Sequence, residues 1–118
     1  MPTPAYISPI SPEIIDADPS VRYSFQADLE FNLIHESSPK ARDAYRIAPL
    51  CVGAASKIAE VAGFPPLERI VATSPQSQFM IFSMDAPNAQ TPGPRIFGLS
   101  TDPAVTLDDA LNFIKSLV

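Results

Sequence analysis

The sequence is poor in the residues from which most catalytic and metal sites are built. It contains 1 cysteine, Cys51, and 1 histidine, His35, and its 4 glycines are widely spaced. A lone cysteine excludes an intramolecular disulfide and fits a reducing compartment, so we expect a cytoplasmic protein. One histidine and one cysteine cannot form a zinc-type ligand cluster, and no Walker-type glycine motif is present. The sequence therefore predicts no catalytic, metal or cofactor site.

Charge and long apolar runs are scarce as well. Charged residues make up 18% of the chain, and the net charge is −5. Nucleic-acid-binding domains carry a basic stripe. The one basic cluster here, Lys40, Arg42 and Arg46 beside Asp43, has helical spacing and is interpreted as a solvated helix face. No apolar stretch approaches the length of a bilayer span, and residues 1–10 lack the regions of a signal peptide. We expect neither nucleic-acid binding nor membrane insertion.

Apolar residues and proline are abundant instead. The chain is 46% hydrophobic and has few charged residues. Because a chain of 118 residues has much surface to cover, this composition indicates that part of the surface is apolar and contacts a partner. Five prolines fall within residues 1–20, and proline disfavours both helix interiors and central strands. We interpret residues 1–20 as a proline-rich arm, neither helix nor central strand, that packs on its own domain or on a partner. Residues 21–118 are predicted to form a single domain.

Residues 21–33 alternate between apolar and polar side chains. This period of two predicts a strand with one buried face. Thirteen residues are long for one strand, so a turn near residues 26–28 that divides the segment into two strands is an alternative. A helix that begins at Asp18 and Pro19 is a second alternative.

A long helix is predicted to follow, with Ser38 as its cap, Pro39 in its first turn and Gly63 beyond its end. Pro49 is expected to kink or restart this helix. One apolar face comprises Tyr45, Ala48, Val52, Ala55, Ala59 and Ala62, and a second comprises Ile47, Cys51, Ala54, Ile58 and Val61. A helix that is apolar on two faces needs a cover on both sides, of which the sheet can supply one.

The remainder of the chain predicts three strands and a closing helix. The strands span residues 67–73, 78–84 and 95–99, with an exposed, proline-rich loop between the last two. Because residues 79–82 are all apolar, the middle strand is expected to be buried on both faces. Thr106 is predicted to cap the closing helix, and Asp108 and Asp109 suit its first turn.

Three other patterns have both a chemical and a structural interpretation. Cys51 and His35 could form a nucleophile pair, but we interpret Cys51 as an apolar helix residue and His35 as an exposed strand-end residue. Paired carboxylates can act as acid and base. However, Asp16 and Asp18 lie in the arm, and the pair at residues 108–109 starts a helix, so structural roles are favoured. Residues 80, 82 and 84 form a Met–Phe–Met stripe that fits a buried strand equally well.

The order of these elements resembles the roadblock/LC7 family, within the wider profilin-like and longin-like group. Residues 59–70, 79–82, 96–99 and 107–117 carry the resemblance. It implies an α/β (α+β) fold with a single antiparallel sheet of about five strands, a long central helix and a C-terminal helix. Family members often begin with a helix and have an acidic-glycine turn between their first two strands, neither of which is evident here.

The resemblance implies a non-catalytic scaffold or adaptor subunit. Family members form homodimers or heterodimers with a similar domain by joining sheets edge to edge and packing their long helices, and they regulate or tether small GTPases or larger complexes. Recruitment to a membrane through partners is consistent with this role. The expected interface residues are Ile47, Cys51, Ala54, Ala55, Ile58, Val61 and Ile70.

A small-molecule-sensing module of profilin-like or PAS-like shape is the alternative function. It predicts a pocket between helix and sheet that is lined by Phe79, Ile81 and Phe97. An enzyme that uses Cys51 or the carboxylates is the third hypothesis.

Overall fold

A computed structural model describes residues 8–65, 69–87, 89 and 92–118. Within them the chain forms one antiparallel sheet of strand order β2-β1-β5-β4-β3 and three helices. This arrangement confirms the predicted fold class. The elements in chain order are α1 (Pro12–Ala17), β1 (Val21–Ala27), β2 (Leu33–Glu36), α2 (Pro39–Ala62), β3 (Arg69–Thr73), β4 (Gln78–Asp85), β5 (Pro94–Thr101) and α3 (Leu107–Lys115).

The sheet lies between two helical layers, and each of its faces has its own core. Successive strand residues point to opposite faces, so Met80 and Phe82 pack with α1 and α3, whereas Ile81 packs against α2. This confirms that β4 is buried on both faces. The α1/α3 side contains Ile10, Ile15, Phe97, Leu99, Ala110, Leu111 and Ile114 as further buried residues, and the α2 side contains Phe25, Ala27, Ala48 and Ile96.

The segment at residues 21–33 forms β1, a tight turn and the start of β2, so the single-strand and helix alternatives are both wrong. The turn lies two residues later than residues 26–28. The Asp28 carboxylate organises it by accepting hydrogen bonds from the backbone N–H groups of Glu30 and Asn32, each at 2.9 Å. Phe31 takes a left-handed conformation with φ of 62°. A short turn that contains no glycine and is held by the Asp28 carboxylate therefore connects the two strands.

The prediction that residues 1–20 contain no helix is wrong for Pro12–Ala17. Proline is compatible with the first turn of a helix, where its missing N–H has no acceptor, and Pro12 occupies that place in α1. The described part of the arm, residues 8–20, packs on its own domain: Ile10 and Ile15 are buried, and the Gln26 side chain bonds both the N–H and the carbonyl of Ile10. The prolines at positions 2 and 4 lie outside the described residues, as do residues 67 and 68 of the predicted strand before Thr73.

Helix α2 begins and ends at the predicted residues. The Ser38 side chain accepts a hydrogen bond from the Ala41 N–H, and Gly63, with φ of 75°, ends the helix in a left-handed conformation. The helix continues through Pro49 as a single element of 24 residues, so a restart at that proline does not occur. The N-cap prediction for Thr106 is also confirmed, since its side chain accepts from the Asp109 N–H at 3.0 Å.

Candidate protein-interaction surface

The outward face of α2 presents a row of exposed apolar side chains, which we call the α2 seam. Its residues are Ile47, Leu50, Cys51, Ala54, Ile58 and Val61. Positions 47, 51, 54, 58 and 61 alternate steps of four and three residues, the spacing with which paired helices pack. Ile47 is 61% exposed, Ile58 68% and Val61 80%. Isolated exposed leucines are ordinary on protein surfaces, but a continuous row on one helix face indicates a contact surface.

The inward face of α2 fixes which residues can form the seam. Ala41, Ala48 and Ala59 are buried against the sheet, where small side chains allow the helix to approach closely. The Tyr45 hydroxyl donates a hydrogen bond to the carbonyl of Phe31 and attaches the helix to the β1–β2 turn. The helix therefore cannot rotate its apolar seam inward without breaking this inner packing.

Two of the expected interface residues lie apart from the seam. Ala55 is half-buried in α2, in step with the inward-facing Ala48 and Ala59. Ile70 is half-buried in β3 and packs against the core between α2 and the sheet. The structure brings the other five together on the outward face of α2.

Sequence reasoning did not assign three exposed apolar residues in α2, in the segment after it and in β3 to the interface. Leu50 is 74% exposed on the seam, Phe64 is 63% exposed just after α2, and Val71 is 43% exposed in β3. A signal for Leu50 was present, because it lies three residues after Ile47 on the same helix face. Phe64 and Val71 had no such signal, since a loop and a short edge strand carry no long periodicity.

Strand β3, the next element after α2 in the sequence, provides a free sheet edge. It is the last strand in the order and pairs with β4 alone among the described strands. Its residues other than Ile70 are exposed. An open edge exposes unpaired backbone N–H and C=O groups, which are ready to pair with another strand. The opposite edge, β2, is only 4 residues long.

Ion pairs on α2 leave the seam largely uncharged. Lys57 and Glu60 pair at 3.6 Å with both side chains at least 70% exposed, so the pair contributes little to stability. Arg42 pairs with Glu36 at 2.5 Å and ties the start of α2 to β2. The hydrogen bond and charge of Glu36 raise the pKa of Arg42. The fixed charges therefore lie beside the apolar row rather than within it.

The catalytic candidates are separated or have structural partners. Cys51 is exposed on the outward face of α2, whereas His35 bonds Asp16 of α1 at 3.1 Å on the other side of the sheet. They cannot form a nucleophile pair. His35 is half-buried rather than exposed. Asp16 also accepts a hydrogen bond from the Ser24 hydroxyl at 2.7 Å, and Asp18 accepts from Ser20.

Metal clusters and membrane-spanning helices are both absent from the described part of the chain. No group of three or more His, Cys, Asp or Glu side chains in residues 8–65, 69–87, 89 and 92–118 could hold a metal ion. Within the same residues, no helix combines the length and hydropathy that a membrane crossing requires.

The predicted ligand pocket is wrong in its composition. Phe97 lies on the α1/α3 side, stacked on Phe82 with ring centroids 5.7 Å apart, whereas Ile81 faces α2. Strand alternation therefore places Phe97 and Ile81 on opposite faces. A cavity of about 260 Å³ does lie between α2 and the sheet, lined by Leu29, Phe31, Val52, Ile70, Ile81, Phe82, Ser83 and Ile96.

Comparison with known proteins gives a likeness in structure alone. No family model and no curated protein matches the sequence. The gliding protein MglB of Thermus thermophilus superposes with a TM-score of 0.64 at 11% identity, over 98% of this chain and 92% of that one. MglB of Myxococcus xanthus superposes with a TM-score of 0.59 at 12% identity, over 82% of this chain and 76% of that one. Together with the strand order and the two helical layers, these likenesses show that the chain has a roadblock/LC7-like fold.

Proposed function

We propose that the chain is a non-catalytic dimeric scaffold or adaptor subunit. It pairs with a second copy or a similar domain through the α2 seam and the free edge of β3. As a dimer it regulates or tethers a small GTPase or a larger complex, in the cytoplasm and at membranes reached through its partners. The proposal takes its GTPase and scaffold role from the resemblance to the roadblock/LC7 family.

The α2 seam is the observation that carries the proposal. Among the described residues, four of the eight large hydrophobic side chains with high exposure belong to this helix: Ile47, Leu50, Ile58 and Val61. Burying apolar surface stabilises by about 25 cal/mol per Å², so covering four such side chains is a substantial driving force. Ala54, at the middle of the row, permits close approach of a second helix. The β3 edge extends the same contact with backbone hydrogen bonds.

Sedimentation of matched variants tests the pairing. The unaltered chain is expected to sediment at twice its mass of 12.7 kDa, and Ile58→Glu is expected to sediment as a monomer because a charge would be buried in the seam. Ile14→Glu is the control, since Ile14 is 53% exposed on α1, away from the seam. A monomeric wild-type chain at high concentration, or dissociation by both variants alike, would contradict the proposed dimer.

Nucleotide-dependent capture tests the GTPase role. The chain and its Ile58→Glu variant would be immobilised and exposed to extract from the source cell, with either GDP or a non-hydrolysable GTP analogue added. Enrichment of a small GTPase in one nucleotide state only, on the wild-type chain, is the expected result. Equal recovery in both states would argue against regulation and leave a scaffold role.

Ligand sensing is the second candidate, because an apolar cavity does lie between α2 and the sheet, although its lining differs from the prediction. Its volume of about 260 Å³ is slightly below the range typical of small-molecule sites. A thermal-shift screen against apolar metabolites tests it. Stabilisation that disappears in an Ile81→Phe variant, which fills the cavity, would favour sensing over scaffolding.

A further inference from the structure

A second cavity lies beside the first turn of α2. The proposed dimer gives this cavity no role. Its volume is about 760 Å³, and its lining comprises Arg22, Tyr23, Ser38, Pro39, Lys40, Ser77 and Ser100. Unlike the apolar cavity beneath α2, it is lined by hydroxyl groups and two cations. The chain as a whole has a net charge of −5, so the charged residues of this lining have the opposite sign to the net charge of the chain.

Ser100 is the residue that points to a ligand. It is 4% exposed and lines the cavity. Its cross-strand neighbours on β1 and β4 are Tyr23 and Phe79, whose ring centroids are 6.3 Å apart. No hydrogen bond joins the Ser100 side chain to another described residue. Its hydroxyl oxygen is not sealed from solvent and lines the cavity, so it is free to contact a ligand there.

The start of α2 supplies a favourable field for an anion. A helix N-terminus carries a partial positive charge and unpaired N–H groups. Ser38 already accepts from Ala41, and Pro39 has no N–H, so the Lys40 N–H is the first-turn donor that remains. The Lys40 ammonium adds a full charge at the same place.

A bulge in β1 brings the second cation to the cavity. The pairing of β1 with β5 shifts register between Val21 and Tyr23, and a bulge redirects the side chain it contains. Arg22 therefore lines the same cavity as Tyr23. Its pairing with Asp102 is long, at 4.0 Å, and both side chains are more than 40% exposed. A weak, solvated pair of this kind is easily exchanged for a ligand oxyanion.

From these contacts we infer that the cavity at the start of α2 binds a small phosphomonoester. The phosphate lies against the Lys40 N–H, the Arg22 and Lys40 cations and the Ser100 hydroxyl, which together match its several oxygens. The organic group lies toward Tyr23 and an adjoining cavity of about 250 Å³ that Ala72 and Phe79 help to line. The phosphate position lies apart from the α2 seam, because Lys40 precedes the first seam residue, Ile47, by two turns of helix. The adjoining cavity borders β3.

Phenyl phosphate titrated into the ¹⁵N-labelled full chain tests the inference. Chemical-shift changes are expected at Tyr23, Lys40, Ser77 and Ser100. Because hydrogen bonds to charged groups are among the stronger ones, Ser100→Ala and Lys40→Gln should each weaken binding roughly tenfold. Ser100→Ala should leave thermal unfolding unchanged, since its hydroxyl has no partner to lose. Lys115→Gln, an exposed cation on α3, is the matched control.

Companion ligands separate a built site from diffuse charge attraction. Inorganic phosphate should shift the same residues more weakly than phenyl phosphate, and phenol alone should shift none of them. The inference is overturned if sodium chloride of equal ionic strength reproduces the shifts. It is equally overturned if Lys115→Gln weakens binding as much as Lys40→Gln, or if Ser100→Ala binds as tightly as the wild-type chain.

Discussion

At the scale of single residues, Gly98 is the point where the sheet tolerates no side chain. A Cβ at this position would lie 2.1 Å from the ring of Phe25, its cross-strand partner. The ring cannot move aside, because it is fully buried and packs edge-on against Tyr45 at 5.7 Å. Gly98→Ala is therefore expected to destabilise the fold by about 1–3 kcal/mol, the usual cost of overpacking, measured by urea denaturation.

Gly53→Ala is the matched control for that substitution. A Cβ at Gly53 meets nothing within 4 Å, and alanine is favoured over glycine in a helix interior by about 1 kcal/mol. Gly53→Ala is therefore expected to stabilise the chain. If the two substitutions changed the free energy of unfolding alike, close packing at Gly98 would not be the reason for its glycine.

Asp28 gives the fold a dependence on pH. Desolvation of Asp28 raises its pKa, but hydrogen bonds from Asn32 and Glu30 outweigh that effect and leave the pKa below its ordinary value of 3.8. A lowered pKa in the folded state contributes stability above the unfolded pKa, and that contribution is lost as pH falls through the folded pKa. The stability advantage of the wild-type chain over Asp28→Asn should therefore be larger at pH 6 than at pH 3, by urea denaturation. An advantage that is constant with pH would exclude the carboxylate as its source.

At the scale of elements, Pro49 lowers the stability of α2 from within the helix. Proline removes a helical hydrogen bond and crowds the preceding turn, at about 3 kcal/mol, although it also restricts the unfolded chain by up to about 1 kcal/mol. Pro49 is exposed and the helix continues through it. Pro49→Ala should therefore raise the free energy of unfolding by about 2 kcal/mol, measured by urea denaturation. Ala54→Pro, in the same helix, should lower it.

How much of each element could be predicted depends on how local its signals are. The two ends of helix α2 were predictable because Ser38, Pro39 and Gly63 act through the backbone beside them. Helix α1 was not, because its 6 residues are too few to form a stable helix in isolation. Burial of Ile10 and Ile15 holds the arm in place, and that contact depends on the distant sheet. The β1–β2 turn was misplaced because Phe31 takes its left-handed conformation without a glycine to announce it.

The same distinction applies to the α2 seam. Ile47, Ile58 and Val61 followed from helical periodicity, which each residue carries in its own spacing. Periodicity placed Ala55 on the face of Ala48 and Ala59, yet Ala55 was also expected at the interface, and the structure shows that Ala48 and Ala59 face the sheet. Periodicity thus located the face, but the assignment of a residue at its border required the packed structure.

Cys51 reports on whether the seam is covered. Its thiol is exposed in the single chain and lies between Ile47 and Ile58 on the seam. If a second chain covers this face, a thiol reagent should react slowly with Cys51 at high protein concentration and faster on dilution. In Ile58→Glu the rate should be fast at all concentrations. A fast, concentration-independent rate in the wild-type chain would show that the seam stays open to solvent.

At the scale of the whole molecule, the fold leaves one helical layer incompletely covered. In the part of the chain that the structure describes, the α1/α3 side of the sheet buries ten residues in its core, while the α2 side buries five. The outward face of α2 adds exposed apolar surface to this thinner layer. A chain of 118 residues has a high ratio of surface to volume, so covering this face by association would add to the stability of its less extensive core.

Stability that comes from association must depend on protein concentration, because mass action favours the species that binds. If the folded chain is dimeric, a tenfold increase in concentration stabilises it by about 1.4 kcal/mol per dimer, which corresponds to a rise in Tm of roughly 3 °C. Calorimetric scans across two decades of concentration should show this rise for the wild-type chain and for Ile14→Glu. Ile58→Glu should unfold at one Tm throughout, since its folded state is a monomer. An invariant Tm for the wild-type chain would mean that the α2 layer is stable uncovered, and the seam would then require a different occupant.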